Sequence, residues 1–254
     1  MVTVGNPGNP GELSGQGVTG WGPERICGAV DYVYNIGKYE VTAGQYTEFL
    51  NAVAATDPHE LYSPGMSSSW GCGIYQSESA GSYEYTVAPE WADRPVNYVS
   101  FWSAARFANW LHNGQGAGDT ESGAYVNIGD QSSFARQPGA QFFIPTEDEW
   151  YKAAYHKNEG ANGDYYDYPT GSDIAPSNNL IDPDPGNNAT SYDGEYTIGD
   201  PYYRTEVGAH ENSDSPYGTF DQGGNVWEWD ETILYDTSRG MRGGGYDYFA
   251  STAQ

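Results

Sequence analysis

The sequence predicts an α+β protein, loop-rich, with short helices set around an irregular antiparallel sheet. Three observations predict it. Three segments carry an apolar stripe at helical spacing behind a capping residue. Runs of alternating apolar residues and paired glycines mark strands near both ends. Gly (34) and Pro (15) make up about a fifth of the 254 residues, enough to fill long irregular stretches.

Residues 1–25 are rich in Gly and Pro and read as an extended N-terminal arm, with a single domain over 26–254. Tyr32, Tyr34 and Ile36 alternate, a strand signal that Tyr39 and Val41 continue. Thr42 then opens a helix, with Gln45 three residues on completing a capping box. Tyr46, Phe49, Leu50 and Val53 fall on one face of it. Residues 56–92 are irregular. Ser100 is the expected N-cap of a second helix, with Ala104, Phe107, Ala108 and Leu111 as its buried stripe. Residues 114–139 form a further loop. Thr146 and Glu149 make a second capping box, and Trp150, Ala153 and Ala154 face inward. Lys152, His156 and Lys157 are expected at the negative end of that helix dipole.

From 158 to 217 there is no helical or strand period. Sixty residues without a backbone ladder need another organiser. Bound Ca²⁺ is one physical answer, since loop carboxylates and carbonyls suit it. The chain then closes with DQGGNVWEWDETILY and RGMRGGGYDYFASTAQ, read as strands with glycine turns.

Composition excludes several functions. Asp and Glu number 35 against 10 Lys and Arg, a formal charge of −25. Nucleic acids and anionic membrane surfaces are partners of cationic proteins. No apolar run has the roughly 18–20 residues of a membrane span. The start MVTVGNPGNPGELSG lacks the basic and apolar regions of a signal peptide. The Tyr-, Asn-, Gly- and Asp-rich, Lys-poor composition favours an extracellular or cell-surface setting. There, Cys27 and Cys72 are expected to form a disulfide.

Motifs for common chemistries are missing. There is no GxSxG elbow and no HExxH, and the four histidines are scattered. Asp182–Gly186, DPDPG, begins like an EF-hand loop but carries prolines inside it and lacks the late Glu. It reads as a rigid solvated turn. Asn188-Ala189-Thr190 is a glycosylation sequon. The strongest local signal is DQGGNVWEW, where two glycines let carbonyls turn inward between the carboxylates of Asp221 and Glu228. That set is suited to Ca²⁺.

These residues carry a resemblance. IGKYEVTAGQYTEFLNA, RPVNYVSFWSAARFANWL, FFIPTEDEWYKAA, YDYPTGSD, EVGAHENSDSPYGTFDQGGNVWEWDE and RGMRGGGY, spanning residues 35–246, resemble the formylglycine-generating enzyme and sulfatase-modifying-factor family. The resemblance implies a variant C-type-lectin-like fold with loops stabilised by Ca²⁺. It implies one calcium site at Asp221, Glu228 and the carbonyls of Gly224 and Val226, with Asp221 standing where the enzymes commonly have Asn. It implies a second at Asn188, Asp200 and the carbonyls of Ala189 and Tyr202, with Asn187 as the alternative to Asn188.

The family's two copper-binding cysteines fall at Tyr248 and Ala253, and neither side chain is a Cu(I) thiolate. No catalytic residue carries over, and copper is not expected. The family's closing strand, with its GFR-type ending, would follow Gln254, so the domain reads as incomplete. The resulting expectation is a non-catalytic, calcium-stabilised binding or surface protein. Its ligand, an unidentified protein or glycan, would meet Trp227, Tyr246, Asp247, Tyr248 and Phe249. The alternatives are a self-assembling surface protein and an oxidoreductase with an atypical site.

Overall fold

A computed structural model describes residues 1–14, 24–77, 81–234 and 238–250. In chain order its regular elements are β1 (Val2–Val4), β2 (Glu12–Ser14), β3 (Arg25–Cys27), β4 (Tyr34–Ile36), α1 (Ala43–Val53), β5 (Ile74–Gln76), β6 (Tyr85–Val87), α2 (Phe101–His112), β7 (Tyr125–Val126), β8 (Ala135–Arg136), α3 (Glu147–Tyr155), β9 (Glu228–Leu234) and β10 (Ser238–Arg242), with two 3₁₀ turns at Pro64–Ser67 and Pro89–Trp91. The strands form five antiparallel pairs, β1–β4, β2–β3, β5–β6, β7–β8 and β9–β10. This is the expected α+β class. The segment read as one domain contributes to two compact units, one of Met1–Glu40 with Pro145–Gln254 and one of Val41–Ile144. Among the described residues, no helix is long and apolar enough to cross a membrane.

The Val41–Ile144 unit is built on α1 and α2. Thr42 Oγ1 accepts the Gln45 N–H at 3.2 Å, and Gln45 Oε1 accepts the Thr42 N–H at 3.0 Å, so both halves of the capping box form. Ser100 caps α2 through the Ser103 N–H at 3.1 Å. Tyr46, Phe49 and Leu50 are buried as their spacing requires, against Phe107 and Trp110 of α2. Phe49 lies 5.4 Å from both the Phe107 and the Trp110 ring centroids. The buried face of α2 is wider than the expected stripe. Phe101, Ala105 and Trp110 are buried, while Ala104 and Leu111 are only part-buried.

In the other unit, α3 is the central strut. Thr146 and Glu149 form the second complete capping box. Trp150, Ala153 and Ala154 are fully buried. Lys152 and His156 stand at the C-terminal end of α3 as expected, in its last turn and at its C-cap, and both are inaccessible. Lys152 Nζ donates to the Asn6 carbonyl at 2.9 Å, and the Tyr217 hydroxyl sits 2.7 Å from His156 Nδ1. Burial holds the His156 imidazole neutral, its pKa lowered to about 4. Replacing either Thr42 or Thr146 with alanine should cost about 1 kcal/mol, read as a lower urea midpoint with unchanged slope.

Two expectations are corrected here. The first concerns the N-terminal arm. Val4 is fully buried, β1 pairs with β4, and β2 pairs with β3. Residues 1–14 are therefore part of the unit's framework, because Val2 and Val4 supply apolar surface that an exposed arm would leave in water. The second is the disulfide. Cys27 and Cys72 are both buried, and no disulfide joins them. Cys27 packs with Trp150, Tyr151 and Tyr155, whereas Cys72 packs with Met66, Ile74 and Phe107 in the other unit's core. Cys27 Sγ also accepts from the Arg242 guanidinium at 3.4 Å. Burial pushes the Cys27 thiol up to about 12, so it is unreactive.

The stretch from 158 to 217 contains turns and isolated bridges only. Asp184 ties its middle. That side chain accepts from Gly186 N–H at 3.0 Å, Asn188 Nδ2 at 2.6 Å, Asn212 N–H at 2.9 Å and Ser213 Oγ at 2.8 Å. The DPDPG segment is a turn exposed at Asp182, Pro183 and Pro185 but anchored at Asp184. Its second Asp is 5% exposed and closes the loop from within. Burial opposes the charge, but these donors outweigh it and hold the carboxyl below its ordinary pKa.

Candidate functional site

The loop before β9 is shaped by unusual backbone. Asp221, Gly224 and Asn225 have φ of 63°, 103° and 58°. Gly224 is required there, because a Cβ would lie 2.2 Å from the Thr190 carbonyl oxygen. Asn225 is among the few other residues that accept a left-handed backbone. Main-chain bonds then clamp the loop on several sides. Gly224 N–H donates to Gly243 O at 2.8 Å, Asn225 N–H to Thr190 O at 2.8 Å, and Phe220 N–H to Lys38 O at 2.9 Å. Tyr246 N–H returns a bond to Asn225 O at 3.0 Å.

Three carboxylates gather on this loop. Asp221 Oδ2 accepts the Gly208 N–H at 2.6 Å. Glu228 Oε2 accepts the Trp150 indole N–H at 2.7 Å. The third, Glu40, was not among the expected site residues. Its Oε2 accepts from Asn225 Nδ2 at 2.8 Å and its Oε1 from Val226 N–H at 3.2 Å. In sequence Glu40 looks like one more residue of the Tyr39–Val41 alternation, and nothing local distinguishes it. Only the fold brings it beside residues 225 and 226.

The electrostatics are adverse without a counter-ion. Burial pushes Asp221 up to about 6, against the Gly208 bond. Burial raises Glu228 to about 7, opposed by the Trp150 indole and helped by the charge of Asp221. Glu40 is raised well above the ordinary Glu value, first by burial and then by Asp221 and Glu228. Among the described residues, no ion pair involves these three side chains. Each residue keeps some accessible surface.

No three His, Cys, Asp or Glu side chains converge as a ready metal cluster among the described residues. A cation here would need main-chain oxygens besides Asp221 and Glu228. The carbonyls of Gly224 and Val226 lie between the two in sequence, and among the described residues no main-chain N–H outside strands donates to them. A hard cation with many oxygen ligands, Ca²⁺ above all, fits that donor set.

A pH dependence follows. An acid whose folded pKa is raised holds its proton longer in the folded chain, so stability falls as pH rises through the window between the two pKa values. Glu228→Gln keeps an acceptor for Trp150 and removes that penalty. In chelator, the variant's stability relative to the parent should rise between about pH 4.5 and 7, measured by urea denaturation at several pH values.

The residues of the second expected calcium site are arranged differently. Asn188 is buried and donates to Asp184, and its N–H goes to Ser213 Oγ at 2.9 Å. Ala189 O accepts from Thr197 Oγ1 at 3.4 Å, and Tyr202 O from the Arg204 N–H at 2.6 Å. Asp200 is exposed. The alternative, Asn187, accepts from Thr170 Oγ1 at 2.6 Å. Asn188 and Ala189 line a small recess with His210 and Asp221, which connects this group to the first.

The expected ligand-facing residues lie just beyond the clamp at Gly243. Trp227 and Tyr248 meet edge to face at 5.3 Å. Tyr246, Asp247, Tyr248 and Phe249 follow, with Tyr248 37% and Phe249 54% exposed. Ala253, the second position of the missing cysteine pair, lies outside the described residues.

The family profile described as "Sulfatase-modifying factor enzyme 1-like domain" matches residues 29–252. Two solved structures are similar in fold. CarF has a TM-score of 0.55 at 18% identity, covering 100% of this chain and 89% of its own. Treponema denticola variable protein 1 has a TM-score of 0.55 at 19% identity, covering 100% and 86%. No curated protein sequence matches.

Proposed function

Because this chain belongs to the sulfatase-modifying factor enzyme 1-like family, we propose that it is a non-catalytic, calcium-stabilised binding or surface protein on the variant C-type-lectin-like scaffold. The observation that carries the reading is the loop 221–228. It gathers Asp221, Glu228 and Glu40, and through the Gly243 and Tyr246 main-chain bonds it also positions the aromatic segment 246–249. Ca²⁺ held by Asp221, Glu228 and the Gly224 and Val226 carbonyls would neutralise the recess and fix that segment. Glu40 acts from behind by holding the Asn225 side chain and the Val226 N–H. Asn188, Ala189, Asp200 and Tyr202 form the second proposed site.

The absence of catalysis rests on Tyr248, a phenol at a position where the family's chemistry uses a thiolate. The ligand face is proposed at Trp227, Tyr246, Asp247, Tyr248 and Phe249. An extracellular or cell-surface location suits calcium dissociation constants on the order of 10⁻⁴–10⁻³ M, typical of extracellular modules. It rests on composition, since no disulfide joins the cysteines.

Thermal denaturation in Ca²⁺ and in chelator tests the reading. Binding to the native state adds RT ln(1 + [L]/Kd), about 2.7 kcal/mol at a hundredfold excess over Kd. The melting temperature should rise with Ca²⁺ in the parent and much less in Asp221→Ala. Equal melting with and without Ca²⁺ would remove calcium from the account.

A further inference from the structure

Beyond the segment 246–249, the structure assembles a larger aromatic face from a second loop. Tyr192 and Tyr196 pair across a tight hairpin with ring centroids 5.1 Å apart. Tyr196 continues to Tyr203 at 5.1 Å and to Tyr246 at 6.0 Å. Tyr192 reaches Phe249 at 5.6 Å, and Tyr203 reaches Tyr246 at 5.7 Å. The Tyr192 N–H donates to the Tyr248 carbonyl at 2.9 Å, so the two segments are joined through backbone as well as rings. Tyr196 is 39% and Phe249 54% exposed.

A contiguous exposed aromatic surface rimmed by polar groups marks an interaction site. Within the two segments that build it, the charges have one sign. Asp193, Glu195, Asp200 and Asp247 are exposed, and residues 191–203 and 243–250 contain no Lys, Arg or His. The cluster also receives one guanidinium from the protein itself. Buried Arg204 lies 5.3 Å from the Tyr246 ring centroid. Ring faces attract cations, and Arg most often. Carboxylates add charge-assisted bonds to the same groups. Stacked nucleic-acid bases would suit the rings, but the acidic rim repels phosphates.

We propose that the face of Tyr192, Tyr196, Tyr203, Tyr246 and Phe249 docks an arginine-rich segment of a partner protein. This deepens the binding reading above and rests on it.

The test must separate recognition from the general attraction of a −25 chain for cations. Tyr196→Ser and Phe249→Ser leave net charge unchanged at exposed positions. Fluorescence anisotropy would compare a labelled arginine–glycine peptide with a neutral glutamine–glycine peptide and a neutral oligosaccharide, on protein whose melting temperature is verified. The expected result is binding of the arginine peptide that weakens about tenfold in the double variant, with no binding of the neutral probes. Equal affinity of the arginine peptide for parent and double variant would overturn the proposal. Aromatic-dependent binding of a neutral probe alone would also overturn it, while leaving the broader binding reading in place.

Discussion

Gly224→Ala is expected to be among the most damaging single substitutions in the chain. The new methyl would sit 2.2 Å from the Thr190 carbonyl oxygen, and the residue would be held at φ 103°. Backbone strain of this kind costs about 1–3 kcal/mol, and overpacking adds about 1–3 kcal/mol more. Neither neighbour can yield cheaply. The Thr190 carbonyl accepts the Asn225 N–H, and the Gly224 N–H is committed to Gly243. The loss, about 2–6 kcal/mol, is a large part of the roughly 5–15 kcal/mol typical of a folded domain. Urea denaturation should show a much lower midpoint. Gly194→Ala has φ 81° but open space around its Cβ, so it should show the backbone cost alone.

The second large effect is expected at Asp184. Asp184→Ala removes the acceptor for two backbone N–H groups, the Asn188 amide and the Ser213 hydroxyl. Each buried donor left unpaired costs about 1–3 kcal/mol, and water entering the gap recovers part of that. A net loss of about 3 kcal/mol or more is expected. Asp184→Asn should lie between, because its amide nitrogen must face a donor. Hydrogen exchange would locate the loss, with amides of residues 186, 188 and 212 becoming exchangeable before those of α3. Uniform exchange across the unit would contradict the view that Asp184 ties this stretch.

The contrast between α1 and the 158–217 stretch shows where local sequence stops being informative. Thr42 and Gln45 lie three residues apart, so their reciprocal bonds need only a helix to form. Tyr46, Phe49 and Leu50 declare a buried face by spacing alone. Asp184, by contrast, reaches Asn212 and Ser213, 28 and 29 residues away. No periodicity announces such a contact, and the flanking prolines suggested a solvated turn. Glu40 is a stronger case. It meets Asn225 and Val226 across 185 and 186 residues, and its own neighbourhood reads as plain strand. Asp221 and Glu228 were legible because paired glycines between two acids are a local pattern. The cysteines misled because composition says nothing about which core each thiol enters. The aromatic face was half legible, since Tyr246–Phe249 is one segment but Tyr192, Tyr196 and Tyr203 join it only in three dimensions.

The central claim is that the recess at Asp221 and Glu228 holds Ca²⁺, and terbium luminescence tests it most directly. Tb³⁺ takes the same hard oxygen ligands, and the Trp150 indole is 2.7 Å from a Glu228 carboxylate oxygen. An ion on Glu228 would therefore receive energy from that tryptophan. Emission sensitised by tryptophan should appear on adding Tb³⁺, decline on adding Ca²⁺, and be largely lost in Glu228→Ala while persisting in an exposed control such as Asp193→Ala. Emission that Glu228→Ala leaves unchanged, or that Ca²⁺ does not displace, would contradict the account.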